Sequence, residues 1–174
     1  AAGLGRIRAG QCEPGVSGLF AAAGRERRRA NCGDLGFALG PRINAAGRLA
    51  DIALGIECLL ADDPGRAAEL ARQLDAINRE RREIEGRMRE EALADVEGVD
   101  TDRRTLVVFR ETWHEGVVGL VASRLKDRHH RPAIAFARSA AQPAMLRGSG
   151  RSIAGVHLRD ALDLVSKRDP ALIE

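Results

Sequence analysis

The chain contains no tyrosine, and only four Phe and one Trp among its 174 residues. Stacked bases need aromatic platforms, so base stacking is excluded as the main business of this stretch. Lysine is nearly absent too. Lys126 and Lys167 are the only ones, and arginine supplies almost all the positive charge. Cys12, Cys32 and Cys58 are odd in number and widely spaced, which excludes a disulfide framework and a paired metal-ligand spacing. All three read as free thiols. No apolar run approaches the roughly 18 residues of a membrane span, and no charged-then-apolar leader is present. The expected setting is cytoplasmic, without membrane contact.

The net charge of +3 is the sum of unlike segments. Residues 1–60 carry eight arginines against five acids, 61–100 seven against twelve, and 101–174 thirteen basic residues against eight acids. Two basic lobes flank an acidic rod. Guanidinium suits bidentate phosphate contact, although codon bias in a GC-rich genome accounts equally well for the bulk of the arginines. Their placement among glycines is the stronger pointer to nucleic acid.

The acidic stretch from Asp63 to Gly98 reads as one helix. Asp63 suits the cap, Pro64 the first helical position, and Gly98 the left-handed stop. Leu70, Leu74, Ile77, Ile84 and Met88 mark a narrow apolar seam. Between Asn78 and Glu91 charge dominates, with Glu83–Arg87 and Glu85–Arg89 at the favourable spacing of four, so the middle is expected to cross solvent. At 1.5 Å per residue the helix spans roughly 50 Å. It either joins two lobes or belongs to a coiled coil or bundle.

Ahead of it, Ala1–Gly10 opens in mid-phrase without Met, as a fragment would. Pro14 to Arg28 has Val16, Leu19, Phe20 and Ala23 at helical spacing, with Arg25, Arg27, Arg28 and Arg29 at its end, where cations oppose the helix dipole. Asp34 to Asp51 reads as a loop punctuated by Gly36, Gly40, Pro41 and Gly47. Arg42, Asn44 and Arg48 are spaced through it and offer donors for phosphate or sugar oxygens, while a structural turn explains the glycines as well. A short apolar helix after Asp51 closes this lobe.

In the second lobe, Thr105 to Arg110 reads as a buried strand. Trp113 and His114 fall in the following turn, and Val117, Val118, Val121, Ala122 and Leu125 form the core face of a helix. Arg131 and Pro132 lead into the strand AIAFA, giving a strand–helix–strand unit with parallel pairing. His114 stands where α/β folds place their sites, either as a site residue or as one that fixes the loop. His129 and His130 read as a polar helix end, and His157 as a cap or partial-core residue. In Met145–Gly155, Arg147, Ser149 and Arg151 alternate with Gly148 and Gly150, so in extended conformation they project to one side.

Together, FALGPRINAAGRL, the long helix, WHEGVVGLVASRL with HRPAIAF, and GSGRSIAGVHLRDAL resemble the bacterial RecJ single-stranded-DNA exonucleases of the DHH phosphoesterase superfamily, over nearly the whole chain. The resemblance implies an α/β fold in three parts: the helical carboxyl-terminal part of a DHH domain (1–62), a long interdomain helix (63–98), and a small, truncated DHH-associated domain with a mixed sheet (99–174). It implies a metal-dependent 5′→3′ exonuclease acting on single-stranded DNA in repair and recombination. Mn²⁺ or Mg²⁺ would be bound upstream, since the family's DHH triplet and metal aspartates are absent here. What carries over is a substrate grip, by Arg42, Asn44, Arg48, His114, Ser149 and Arg151, with no catalytic residue and no metal ligand assigned. Single-strand-binding protein or a helicase are the protein partners it suggests. Alternatives are DHH enzymes that cleave oligoribonucleotides or cyclic dinucleotides, a non-catalytic nucleic-acid-binding relative, and an editing module like that of alanyl-tRNA synthetases.

Overall fold

A computed structural model describes residues 2–98 and 103–173. The expected start of the last domain, at residue 99, lies outside the described residues. The chain divides into two compact units, one ending at Glu83 and the other beginning at Ile84.

The first unit is helical. It comprises α1 (Ala2–Arg8), α2 (Pro14–Ala22), a 3₁₀ turn at Arg27–Arg29, α3 (Cys32–Asp34), a π-helical turn (Leu35–Leu39), α4 (Gly40–Leu49), α5 (Ala53–Leu60) and the start of α6 (Pro64–Val96). Leu19 and Phe20 of α2 pack with Leu39, Ala46, Cys58, Leu70, Ala71 and Leu74 into its core. The arginine run does not extend α2 as its sequence suggests. Gly24 takes φ +63°, Arg25 N–H donates to the Phe20 carbonyl at 2.9 Å, and Gly24 N–H to Ala21 at 3.0 Å. That is a Schellman stop, and the arginines follow it.

Residues 34–51 are a larger correction: the expected loop is helix almost throughout. Asn31 and Asp34 cap each other's amides at 3.0 and 3.1 Å, and helical backbone then runs through the π turn to Leu49. The buried face is Ala38, Leu39, Ala45 and Ala46. Alanines among glycines give almost no hydrophobic periodicity, so packing rather than local propensity makes this helix.

α2 crosses α5 at Gly15. A Cβ there would lie 1.7 Å from the Cys58 carbonyl oxygen, closer than any backbone tolerates. Gly15→Ala should therefore destabilise by about 1–3 kcal/mol or more, read as a lower urea midpoint. Cys58 itself is buried, and that burial pushes its thiol pKa up. All three cysteines are free.

α6 begins as its sequence suggests, with Asp63 Oδ1 accepting from Arg66 N–H at 2.7 Å, and Gly98 beyond it takes φ +76°. Its middle departs from the solvent-crossing expectation at Asn78 and at Met88, both buried. Asn78 is fully buried, accepting from Arg81 at 3.2 Å.

The second unit holds a three-stranded sheet. β1 (Leu106–Phe109) pairs in parallel with β2 (Ala133–Arg138), which pairs antiparallel with β3 (Leu146–Arg151). α7 (Val118–His129) connects the first two strands, and α8 (Leu158–Arg168) follows the third. The mixed sheet and parallel β1–β2 pair are as the sequence indicates, and Val117, Val118, Val121, Ala122 and Leu125 are all buried. β1 is not buried on both faces, however. Leu106 and Val108 are buried while Val107 is 62% exposed and Phe109 39%, so one face of this strand is covered and the other is open.

The carboxyl-terminal part of α6 belongs to this unit and is tied to it by polar contacts. Trp113, buried, donates through Nε1 to Glu91 at 2.7 Å. Glu85 lies 3.6 Å from Arg124 of α7. Arg110 grips Asp95 with two hydrogen bonds at 2.6 and 3.0 Å, and this hydrogen bonding holds the Asp95 carboxyl below the usual carboxylate range. A depressed folded-state pKa means a stabilising contribution that is present above the unfolded value of about 3.9 and lost as pH falls through the folded value. Arg110→Gln should accordingly raise the Asp95 pKa in a carboxylate NMR titration. An unchanged value would show the pair to be unimportant in solution.

Candidate nucleic-acid interface

In the second unit the site grows from register. Ala133, Ala135 and Ala137 of β2 lie opposite Arg151, Ser149 and Arg147 of β3, and paired residues share a face. The alanines are fully buried and too short to crowd their polar neighbours. Those neighbours point toward α7. A Cβ on Gly119, in the first turn of α7, would lie 2.9 Å from Ser149 Oγ and 3.0 Å from an Arg151 guanidinium nitrogen. Glycine at 119 is what lets hydroxyl and guanidinium sit against the helix start.

Arg151 Nη1 donates to Ser149 Oγ at 2.9 Å and to the Gly150 carbonyl at 2.8 Å, which fixes the head group while Arg151 stays exposed. No acid is paired with it among the described residues. Of the amides in this first turn Leu120 N–H is taken by the Val117 carbonyl at 2.9 Å, and the helix dipole adds partial positive charge there. A guanidinium, a hydroxyl and the start of a 12-residue helix therefore converge on one spot, the donor set an oxyanion needs.

His114, in the turn before α7, is half-buried, and its Nδ1 accepts from Gly116 N–H at 3.0 Å. A neutral ring in this arrangement carries its proton on Nε2, as a donor. The histidine thus fixes the loop and keeps a donor to offer, so its two readings are not exclusive. Arg147 continues the row on β3, with Glu115 3.7 Å away.

In the first unit, α4 separates the three residues singled out there. At 100° per residue, Asn44 and Arg48 lie about 40° apart while Arg42 points about 160° from Asn44. Asn44 is exposed and Arg48 half-buried. Arg42 faces inward, 8% exposed. It donates to Asp75 of α6 at 2.8 and 2.9 Å and to the Ala38 carbonyl at 2.6 Å. Asp75 and Glu91, the carboxylates that bind Arg42 and Trp113, carried no sequence signal. Each is one acid among the twelve of residues 61–100. His157 caps α8, its Nδ1 accepting from Asp160 N–H at 3.4 Å.

No group of three or more His, Cys, Asp or Glu side chains among the described residues is arranged to hold a metal ion. No helix among them is long and apolar enough to cross a membrane.

Residues 102–168 match the DHHA1 domain family, so the sheet, α7 and α8 form a domain of that class. Across nearly its full length the chain is 51% identical to the single-stranded-DNA-specific exonuclease RecJ of Dickeya dadantii and 49% identical to that of Escherichia coli, covering 98% of the chain in each case. The chain belongs to the RecJ family. It spans 30% of the length of those two relatives. The fold agrees: a crystal structure of RecJ from Thermus thermophilus in complex with Mg²⁺ superposes with a TM-score of 0.79 at 30% identity, over 95% of this chain and 24% of that one. A crystal structure of exonuclease RecJ bound to manganese gives 0.77, over 92% and 38%.

Proposed function

We propose that this chain is the DNA-gripping part of a metal-dependent exonuclease that hydrolyses single-stranded DNA, with 5′→3′ polarity, in repair and recombination. The observation that carries the reading is the Arg151–Ser149 pair seated over Gly119 at the start of α7. Those donors suit a phosphate oxygen, and phosphate contacts position a strand without reading its sequence. Arg48 and Asn44 on their shared α4 face, and His114 through Nε2, are proposed as further backbone contacts. The scarcity of aromatic rings fits a grip on phosphates rather than bases.

The proposal divides the chain into the end of a DHH domain (1–62), a connecting helix (63–98) and the DHH-associated domain (99–174). Mn²⁺ or Mg²⁺ would supply the hydrolytic chemistry. The described residues do not form a site for either ion, so its ligands are assigned to polypeptide beyond them. Cytoplasmic residence, and single-strand-binding protein or a helicase as protein partners, belong to the same proposal.

The test is a nuclease assay with Mn²⁺ and with Mg²⁺. The purified 174-residue chain is expected to leave single-stranded DNA intact, whereas the full-length protein degrades it. Degradation by the chain alone would overturn the assignment of the metals elsewhere.

A further inference from the structure

Arg25, Arg27, Arg28 and Arg29 fall within five residues, and the fold does not neutralise them evenly. Because the Schellman stop turns the chain away from α2, Arg25, Arg27 and Arg28 line an open cavity of about 440 Å³ together with Ser17, Phe20 and Glu26. Glu26, the acid among these six, lies 3.3 Å from Arg29, which points elsewhere. Arg25 approaches Asp34 only at 3.8 Å. Arg27 donates to Ser17 Oγ at 2.6 Å, yet its Nε is buried with no hydrogen-bond partner among the described residues. Arg28 is exposed and pairs with no acid among them.

A basic run after a helix complements the helix dipole, and that accounts for positive charge at this place. It does not account for three arginines around one hollow whose own acid, Glu26, is paired with Arg29 instead. An oxyanion seated in the cavity supplies the missing negative charge, beside the exposed Arg25 and Arg28.

We propose that this cavity binds a phosphate group, namely one phosphodiester of single-stranded DNA already held elsewhere on the protein. The phosphate chemistry rests on the cavity alone, and the identity of the polymer rests on the function proposed above. The strand is favoured over free phosphate because the mouth is open to solvent: a free ion there competes with water, whereas a tethered phosphate arrives at high effective concentration.

The test compares Arg28→Ala with Arg29→Ala in the full-length protein, without divalent metal, by anisotropy of an internally labelled oligothymidylate across a salt series. Each variant removes one charge from the same turn, but only Arg28 lines the cavity. Arg28→Ala is expected to weaken binding and lower the salt slope by about 0.7, the value of one single-strand contact, while Arg29→Ala leaves the slope unchanged. Equal effects of the two variants would overturn the proposal in favour of a diffuse field. A thermal-shift titration with inorganic phosphate forms the second arm. Phosphate that stabilises wild type but not Arg28→Ala, with DNA slopes unchanged, keeps the site and replaces its occupant by free phosphate. No response in either arm removes the site. If wild type does not bind the oligonucleotide at all, the proposed function fails, and the phosphate titration alone then decides the cavity.

Discussion

Arg151→Ala in the full-length protein is expected to weaken binding to single-stranded DNA roughly tenfold to a hundredfold, uniformly across sequences. Hydrogen bonds to charged groups contribute about 1.5–3 kcal/mol, and that range converts to those factors. The salt slope should fall by about 0.7. Stability should hardly change, because the guanidinium is exposed and its bonds run only to its own strand. Gly119→Ala supplies an independent route to the same loss. Its methyl would press on Ser149 Oγ and Arg151 at 2.9 and 3.0 Å, displacing both without removing any charge. Salt-jump or anisotropy titrations that find wild-type affinity for both variants would remove this face of the domain from the DNA path.

Arg42→Ala should do the opposite, lowering stability by about 3 kcal/mol and leaving the salt slope as it was. The guanidinium is held by Asp75 and the Ala38 carbonyl and is nearly closed to solvent. Its loss leaves Asp75 with Arg79, at 3.4 Å, as its remaining partner. Because one carboxylate is shared, Arg42→Ala and Asp75→Ala should be strongly non-additive in a double-mutant cycle. Additive losses, or a slope that falls by about one contact, would return Arg42 to the surface and to phosphate.

The contrast between these two arginines marks how far the sequence could be read. Both sit beside glycines, and both invite the same phosphate reading on local grounds. For Arg151 the period of two along Arg147, Ser149 and Arg151 is enough to place hydroxyl and guanidinium on one face, since a strand alternates whatever it packs against. For Arg42 the acid that pairs with it lies 33 residues away on α6, and nothing in the stretch around it distinguishes a buried ion pair from a solvent-facing donor. The helix that carries it was hidden as well. Apart from Leu39 its apolar face is built from Ala38, Ala45 and Ala46, whose side chains are too small to mark a period, and its glycines mimic a loop.

The sequence by itself determined the boundaries of α6, through Asp63, Pro64 and Gly98, and the parallel β1–α7–β2 unit, through its β-branched run and the Val117–Leu125 face. It also determined the family, because the motifs that carry the resemblance are contiguous stretches whose order survives without coordinates. Local chemistry suffices for all of these: caps, periodicity and spacing act within a few residues. Only the tertiary structure decided which arginines face solvent and which face an acid, that Asn78 is buried in a helix that reads as charged, and that Glu91 anchors the Trp113 turn. Each depends on packing or on a partner that the local sequence does not specify. The free energy of a charge is set by what surrounds it after folding, so a guanidinium's role is written in its neighbours rather than in its own position.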